Sequence, residues 1–442
     1  MLARSVTFNI LGQAGALLVG FVASIVLARL LGPSDRGLLA LLQSSVSVVV
    51  VLAGVSLPFA VAYYGSRSDR RTGAILGTTL AWAALMAVVL VPLAWVARDA
   101  LAAALSHGAQ ATAWVVAAAI VPVTFLDYTT QNQVLGQKRF GLYNAIVVVS
   151  KAAGLAAVLL LVAVAGLGVT GGLIALAVGS LTTIGLALRP VGAEGGRPTV
   201  DVTLLRRMLA YGARVQVGAI FTTLNYRLDV LVLQFFRPLR DVGYYVIAQI
   251  MAELVTMLSS GFGLSVLPLV TAADEKGDAT DLTLRSLRHH GTLTVVAIVL
   301  DAVFGTAVVW WAYGADYHPA IVPMLVLLPG MWFLGTGTVV TNDLRGRGRP
   351  GTASALAGAA VTVTVLLDLL LIPPFGVLGA AVASVCAYTV LGVASLITLA
   401  RVVDVPVRAL LPARSDLSLY RELALGLVRR ARATPPTVDP AA

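Results

Sequence analysis

Charge is what this sequence has least of. Only 12% of its 442 residues are Asp, Glu, Lys or Arg, against about 25% in soluble globular domains. So few charges cannot cover the surface of a water-soluble protein of this length, and the 58% of apolar residues must in large part face lipid. The single cysteine, Cys386, excludes a disulfide scaffold. Four histidines (His107, His289, His290 and His318) scattered among different loops leave no metal cluster to expect. Gly346 and Gly348 among arginines do not have the spacing of a phosphate loop, so ATP hydrolysis and a bound cofactor are not expected.

What is present is a series of apolar runs of spanning length, about 20 residues each. They lie near 8–30, 38–64, 74–97, 111–135, 141–166, 168–188, 209–235, 242–270, 291–314, 319–341, 351–373 and 375–400. The first is too long for a signal-peptide core and reads as an uncleaved helix. Twelve spans with the N-terminus inside place 23 of the 31 Lys and Arg residues on the inner side, including Arg67, Arg70, Arg71, Arg206, Arg207, Arg345, Arg347 and Arg349. Five fall outside, namely Arg29, Arg36, Arg98, Arg237 and Arg240. This asymmetry follows the positive-inside rule, so the net charge of +10 is chiefly a topology signal and calls for no nucleic-acid partner. The outer loops are short, which argues against a membrane glycosyltransferase or polymerase. In the tail, 417–432 reads as an amphipathic helix whose leucines and terminal arginines suit anionic lipid headgroups.

The pattern repeats with a period near 205–210 residues. Leu31-Gly32-Pro33 through Gly37 recurs as Phe236-Arg237-Pro238 through Gly243, and Leu57-Pro58 as Leu267-Pro268. Gly168-Val169-Thr170-Gly171-Gly172 recurs as Gly376-Val377-Leu378-Gly379-Ala380, and Lys138-Arg139-Phe140-Gly141 matches Arg347-Gly348-Arg349-Pro350-Gly351. The expected fold is an all-α polytopic membrane protein with two six-helix halves related by a pseudo-twofold axis along the membrane normal. The expected divisions are a first half over 1–190, a cytoplasmic linker over 191–208, a second half over 209–400 and a cytoplasmic tail over 401–442. Such repeats place a substrate path between the halves.

Several of these motifs resemble those of bacterial oligosaccharide flippases, in the superfamily that also holds multidrug and toxin extrusion transporters and lipid II flippases. The resemblance is carried by Leu27-Ala28-Arg29-Leu30-Leu31-Gly32-Pro33 with Gly37, by Arg227-Leu228-Asp229, and by Val242-Gly243-Tyr244-Tyr245 with Ala248. Leu267-Pro268 and Ile372-Pro373 with Gly376-Val377-Leu378-Gly379-Ala380-Ala381 complete it, so that it runs over about 5–400. It implies a bacterial cytoplasmic-membrane transporter, not an enzyme, that moves a polyprenyl-diphosphate-linked oligosaccharide by alternating access for surface polysaccharide assembly. A polysaccharide polymerase and glycosyltransferases are the implied partners, membrane lipids the surroundings, and an H+ or Na+ gradient the candidate drive.

Ionisable groups inside spans are costly and functional by default. They are Asp127, Lys151, Arg214, Arg227, Asp229, Glu253, Asp301 and Asp368. Asp127 and Lys151 lie at equal depth in a hairpin centred on Arg139, so an ion pair between them fits the geometry. Span 209–235 carries two polar stripes: Arg214, Gly218, Thr222, Asn225 and Asp229 on one side, Gln216, Thr223 and Arg227 nearly opposite. Lys151, Arg214 and Arg227, with Arg29 at the outer mouth, are candidate diphosphate ligands, because guanidinium and ammonium groups match phosphate oxygens. Asn225, Thr222, Gln131 and Asn144 are candidate sugar contacts. Asp127, Asp229, Glu253, Asp301 and Asp368 are candidates for ion coupling or for internal pairs with the cations. Two rival readings are a cation-coupled multidrug exporter, whose cavity would favour acidic groups, and a membrane scaffold for polysaccharide assembly enzymes.

Overall fold

A computed structural model describes residues 2–66, 72–192, 198–274 and 279–412, and every regular element among them is helical. In chain order these are α1 (Leu2–Gly54), α2 (Leu57–Gly65), α3 (Thr72–Leu105), α4 (Ala111–Gly136), α5 (Phe140–Val158), α6 (Gly168–Gly192), α7 (Val202–Phe236), α8 (Leu239–Asp274), α9 (Ala279–Leu300), α10 (Ile321–Gly346), α11 (Pro350–Phe375) and α12 (Val377–Val403). Helix α5 continues into a π-helical stretch, Leu159–Val164. Between α9 and α10 the chain passes through π-helical Asp301–Gly305 and Val309–Tyr313 and a 3-10 turn, Ala315–Ala320. The tail helix expected over 417–432 lies outside the described residues.

Among the described residues, nine helices are long and apolar enough to cross a membrane. Large apolar side chains are turned outward on them, including Val88, Leu93, Trp95 and Val96 on α3 and Leu366, Leu369 and Leu370 on α11. A water-soluble protein does not present contiguous surface of that kind, so this is a multi-pass membrane protein. The run 209–235 is not among the nine. It contains Arg214, Arg227 and Asp229, which lower the hydropathy of α7 below that of a lipid-facing helix.

The first two runs form one helix bent at Gly32, where φ is 71° and ψ 173°. Pro33 disfavours a helical conformation at the residue before it, and glycine alone adopts this backbone region without strain. The expected uninterrupted run 38–64 is broken at Val55 and Ser56, both with positive φ. Helix α7 secures that break: Gln216 Nε2 donates to the Val51 carbonyl at 2.9 Å, and Ser56 Oγ donates to Gln216 Oε1 at 2.6 Å. One side of the "second polar stripe" is therefore occupied by a structural glutamine.

Two compact units emerge. The larger takes Met1–Met251, Val303–Leu327 and Ala357–Ala387; its core gathers Leu38, Leu39, Leu42, Ile75, Trp114, Phe125, Leu173 and Met208. Within it the two proline turns of the repeat, at Pro33 and Pro238, meet. A Cβ on Gly37 would lie 1.9 Å from the Leu239 carbonyl oxygen, and one on Gly243 would lie 2.0 Å from that of Pro33. Only glycine permits such backbone contact, which explains why both copies of the motif end in it.

The smaller unit takes Ala252–Ala302, Leu328–Leu356 and Tyr388–Ala442, with Leu287, Val339, Val340, Leu344, Leu399 and Leu410 in its core. Buried Asp343 accepts Thr283 Oγ1 at 2.6 Å and Arg347 Nε at 2.8 Å. In the larger unit Gln133 Nε2 donates to the Thr72 carbonyl at 3.2 Å. Gln133 and Asp343 are 210 positions apart, Thr72 and Thr283 211, and Lys138 and Gly348, both with positive φ, again 210.

Candidate functional site

The larger unit holds two polar niches. The first lies among α4, α5 and α6. Asp127 Oδ1 accepts Gln131 Nε2 at 2.7 Å and Oδ2 accepts Ser180 Oγ at 3.0 Å, with Thr183 also in hydrogen-bonding reach. Three neutral donors thus satisfy the carboxylate. Lys151 is near enough for its charge to be felt at Asp127, yet the expected Asp127–Lys151 ion pair is not formed. The ammonium stays exposed on α5, because Ser180 and Gln131 already occupy both carboxylate oxygens.

Arg227 on α7 reaches the same neighbourhood, since its charge and that of Asp127 both act on the Tyr128 phenol. Neither Arg227, Arg214 nor Lys151 makes an ion pair among the described residues. Asp229 is not the counter-charge of Arg227: two residues further on, it points to the far side of the helix. Arg214, exposed, stands roughly 20 Å along the axis from Arg227. One turn before it, Tyr211 stacks on Tyr63 (ring centroids 4.7 Å, planes 15° apart) with Tyr64 edge-on to both. Sequence reading missed this aromatic group because its members come from α2 and α7, some 150 positions apart.

The other polar candidates divide. Asn225 is buried, and its Oδ1 has no donor among the described residues. Asn144 is buried on α5. Thr222 donates to the Gly218 carbonyl of its own helix at 2.8 Å, and Gln131 is engaged with Asp127. Arg29 does not project as a free ligand in this state: its Nε donates to the Ala312 carbonyl at 2.8 Å and its Nη2 to that of Trp311 at 2.6 Å.

The second niche joins α7, α8, α11 and α12. Asp229 Oδ2 accepts a short hydrogen bond from the Tyr245 hydroxyl and another, 2.6 Å long, from Ser384 Oγ. Tyr245 and Ser384 also lie 3.0 Å apart. Asp368 adjoins Asp229 within hydrogen-bonding reach. Asp229 Oδ1 and both Asp368 oxygens have no donor among the described residues. Asp368 thus faces another carboxylate and not a cation, across 139 positions of sequence. Two adjacent buried carboxylates cannot both stay ionised without compensation. Tyr245 and Ser384 were not singled out from sequence, although Tyr245 stands in the Gly243-Tyr244-Tyr245 motif.

In the smaller unit Asp301 opens a π-helical turn, half-buried, with Oδ2 unpartnered among the described residues. Glu253 is half-buried on α8. No group of three or more His, Cys, Asp or Glu able to hold a metal occurs among the described residues.

Solved structures share this arrangement of helices. A multidrug resistance transporter of the MATE family, in its inward-facing conformation, superposes with a TM-score of 0.72 at 14% identity, covering 91% of this chain and 98% of its own. The lipid II flippase MurJ, in an inward closed conformation, gives 0.73 at 14% identity, covering 97% and 94%. A MOP superfamily transporter from Pyrococcus furiosus, noted for reversed polarity of its binding pocket, gives 0.64 at 14% identity over 92% and 95%. The fold is that of the MOP superfamily of transporters.

Within that fold the chain belongs to the polysaccharide biosynthesis protein family, whose model matches residues 2–273. Named relatives are more distant. A probable low-salt glycan biosynthesis flippase of Haloferax volcanii is 20% identical over 48% of this chain and 45% of its own length. An uncharacterised membrane protein of Methanocaldococcus jannaschii is 25% identical over 42% and 38%. The match thus spans less than half the length of these relatives.

Proposed function

We propose that the chain is a flippase for polyprenyl-diphosphate-linked oligosaccharide, acting in the cytoplasmic membrane to supply surface polysaccharide assembly. Twelve spans in two six-helix halves, 1–190 and 209–400, joined by the linker 191–208, put both termini and the tail 401–442 inside. The cargo moves by alternating access between the halves. One observation carries the reading: Lys151, Arg214 and Arg227 lie within spans and have no ion pair among the described residues. A structural cation in lipid is paired, whereas an unpaired one is maintained for a ligand. The diphosphate is that ligand, and Asn225, Asn144 and the Tyr63–Tyr211 stack offer the hydrogen bonds and ring faces that sugars take.

The Asp229–Asp368 niche supplies coupling, taking up H+ or Na+ from the gradient. Family membership and the similarity to a probable glycan biosynthesis flippase of Haloferax volcanii support a flippase. The likeness to multidrug exporters extends to fold alone, and cations along the path oppose a cationic drug as cargo. Polymerase and glycosyltransferases are the expected partners at the basic inner face. The test is transport of a fluorescent polyprenyl-diphosphate-linked sugar in proteoliposomes by the wild type and by Arg214→Ala. Transport by wild type but not by a correctly inserted Arg214→Ala supports the reading; equal transport by both removes it.

A further inference from the structure

Arg36 was placed in an outer loop by sequence, and the structure corrects this. It opens the helical segment after the Gly32 bend, and only 4% of it is exposed. Its Nε and Nη1 are buried with no acceptor among the described residues, and no carboxylate there pairs with it. Its neighbours are the neutral phenols of Tyr313 and Tyr317, from the π-helical and 3-10 turns that lead into α10. Both phenols already donate elsewhere, Tyr313 to Ser24 Oγ at 3.1 Å and Tyr317 to the Ala28 carbonyl at 3.0 Å. Tyr317 is packed edge-on by Tyr244 and Tyr313. Arg29 ties down the carbonyls at the end of the same π-helical turn. The cover over Arg36 is therefore a strip of irregular helix, held by a few polar bonds. A 3-10 stretch between helices often marks a hinge, and π-helical turns recur at functional sites.

A guanidinium enclosed without counter-charge is heavily penalised. If Arg36 served only to hold this turn closed, an aliphatic side chain would do so better. Its two unused donors instead match the oxygens of a phosphate ester.

We propose that Arg36 is an outer phosphate-binding group of the translocation path, covered by Tyr313 and Tyr317 in this state and presented when they withdraw. This rests on the proposed function, which puts the Gly32–Pro33 turn at the outer face and makes the ligand the cargo's diphosphate. Arg214 receives the diphosphate at the inner side, Lys151 and Arg227 lie deeper in the path, and Arg36 holds it at the outer end before release.

The experiment maps phenylglyoxal adducts on Arg36 by mass spectrometry, with the full chain in phosphatidylcholine vesicles. Arg29→Ala frees the cover by removing its two carbonyl bonds, so Arg36 labelling should rise in that variant over wild type. Undecaprenyl diphosphate should suppress the adduct about 10- to 100-fold, the range set by one or two charge-assisted hydrogen bonds, while undecaprenol should not. Suppression by inorganic pyrophosphate but not by undecaprenyl diphosphate supports the anion site and removes the cargo reading. Lack of suppression by either, with Arg214-dependent binding of undecaprenyl diphosphate intact, overturns the Arg36 proposal and leaves the proposed function standing. Equal suppression by vesicles containing phosphatidylglycerol assigns the group to bulk lipid headgroups and also overturns it. Should Arg29→Ala not fold, transport decides: Arg36→Lys should retain most activity and Arg36→Met little, with undecaprenyl diphosphate binding from the inner side unchanged in both. Undiminished transport by Arg36→Met overturns the proposal.

Discussion

Replacing Asp368 by Asn separates coupling from folding. Both Asp368 oxygens lack donors, and Asp229 Oδ1 beside them lacks one too. An asparagine amide in that position supplies an N–H to Asp229 Oδ1 and removes the second negative charge, so the niche loses a like-charge contact and gains a hydrogen bond. Asp368→Asn should therefore fold at least as stably as wild type. Its capacity to carry a coupling charge is lost. One elementary charge moved across 100 mV is worth about 2.3 kcal/mol, which corresponds to roughly a 50-fold gradient of cargo at 1.4 kcal/mol per tenfold. The assay is uptake of fluorescent lipid-linked sugar into proteoliposomes with and without an imposed H+ or Na+ gradient, together with exchange at zero gradient. The expected result is exchange near the wild-type rate and no gradient-driven accumulation. Full accumulation by Asp368→Asn refutes the assignment of the niche to coupling. Asp229→Asn provides the contrast. Asp229 Oδ2 accepts from both Tyr245 and Ser384; an amide oxygen in its place accepts the same two bonds without the charge, so each weakens and about 1 kcal/mol of stability is lost, read as a lower unfolding temperature.

Other substitutions address the remaining contacts. Arg214→Ala should weaken undecaprenyl diphosphate binding about 10- to 100-fold, from a charge-assisted bond worth about 1.5–3 kcal/mol, with normal insertion; equilibrium binding in nanodiscs reads it. Gln216→Leu removes the partner of the Val51 carbonyl and Ser56 Oγ at the α1–α2 break, and about 2 kcal/mol of stability should go with it, measured as the midpoint of thermal unfolding in detergent. Gly243→Ala forces a Cβ to within 2.0 Å of the Pro33 carbonyl oxygen, so the two turns must part. Cysteine-reactive probes applied from outside should then reach residues near this contact that wild type protects.

Much of this architecture was legible in sequence. Spacing of apolar runs located the helices because lipid admits few alternatives to long helices. The first repeat motif was found as a proline turn that ends in glycine, and its two glycines, Gly37 and Gly243, are the ones pressed against the opposite turn. The candidate site was legible in part. Lys151, Arg214 and Arg227 were marked by depth alone, since a charge inside an apolar run stands out whatever surrounds it. Its partners do not stand out. Asp229 meets Ser384 and Asp368 through α11 and α12, and Asp127 takes Ser180 from α6 in place of the cation opposite it in the hairpin. Those choices depend on helix rotation, which periodicity fixes only loosely in helices apolar on every side. Arg36 was misplaced because a charge near a Gly-Pro turn looks like a loop residue, and nothing local announces that Tyr313 and Tyr317 will close over it.

Helix α7 brings these threads together. It is too polar to be counted among the nine apolar helices, and the reason can be assigned residue by residue. Gln216 is fixed to the break in the first helix pair, and Asp229 is fixed to Tyr245 and Ser384 on the opposite side. The helix is thus anchored at two points with roughly 20 Å of axis between them. Arg214 and Arg227 lie at or between these anchors and are the two groups that neither anchor satisfies. Translocon-type scales put an arginine at the centre of a spanning helix near 2.5–3.5 kcal/mol, a cost that falls chiefly on Arg227 and that no ion pair among the described residues offsets. A helix pinned at both ends cannot rotate these groups away to solvent. In the proposed function, a doubly charged diphosphate entering between the helices supplies the missing counter-charge to both arginines in turn. Under the same proposal, cation uptake at Asp229 would act on the helix that also carries Arg227, two residues away. Coupling between gradient and cargo then needs no long relay, only the displacement of one helix.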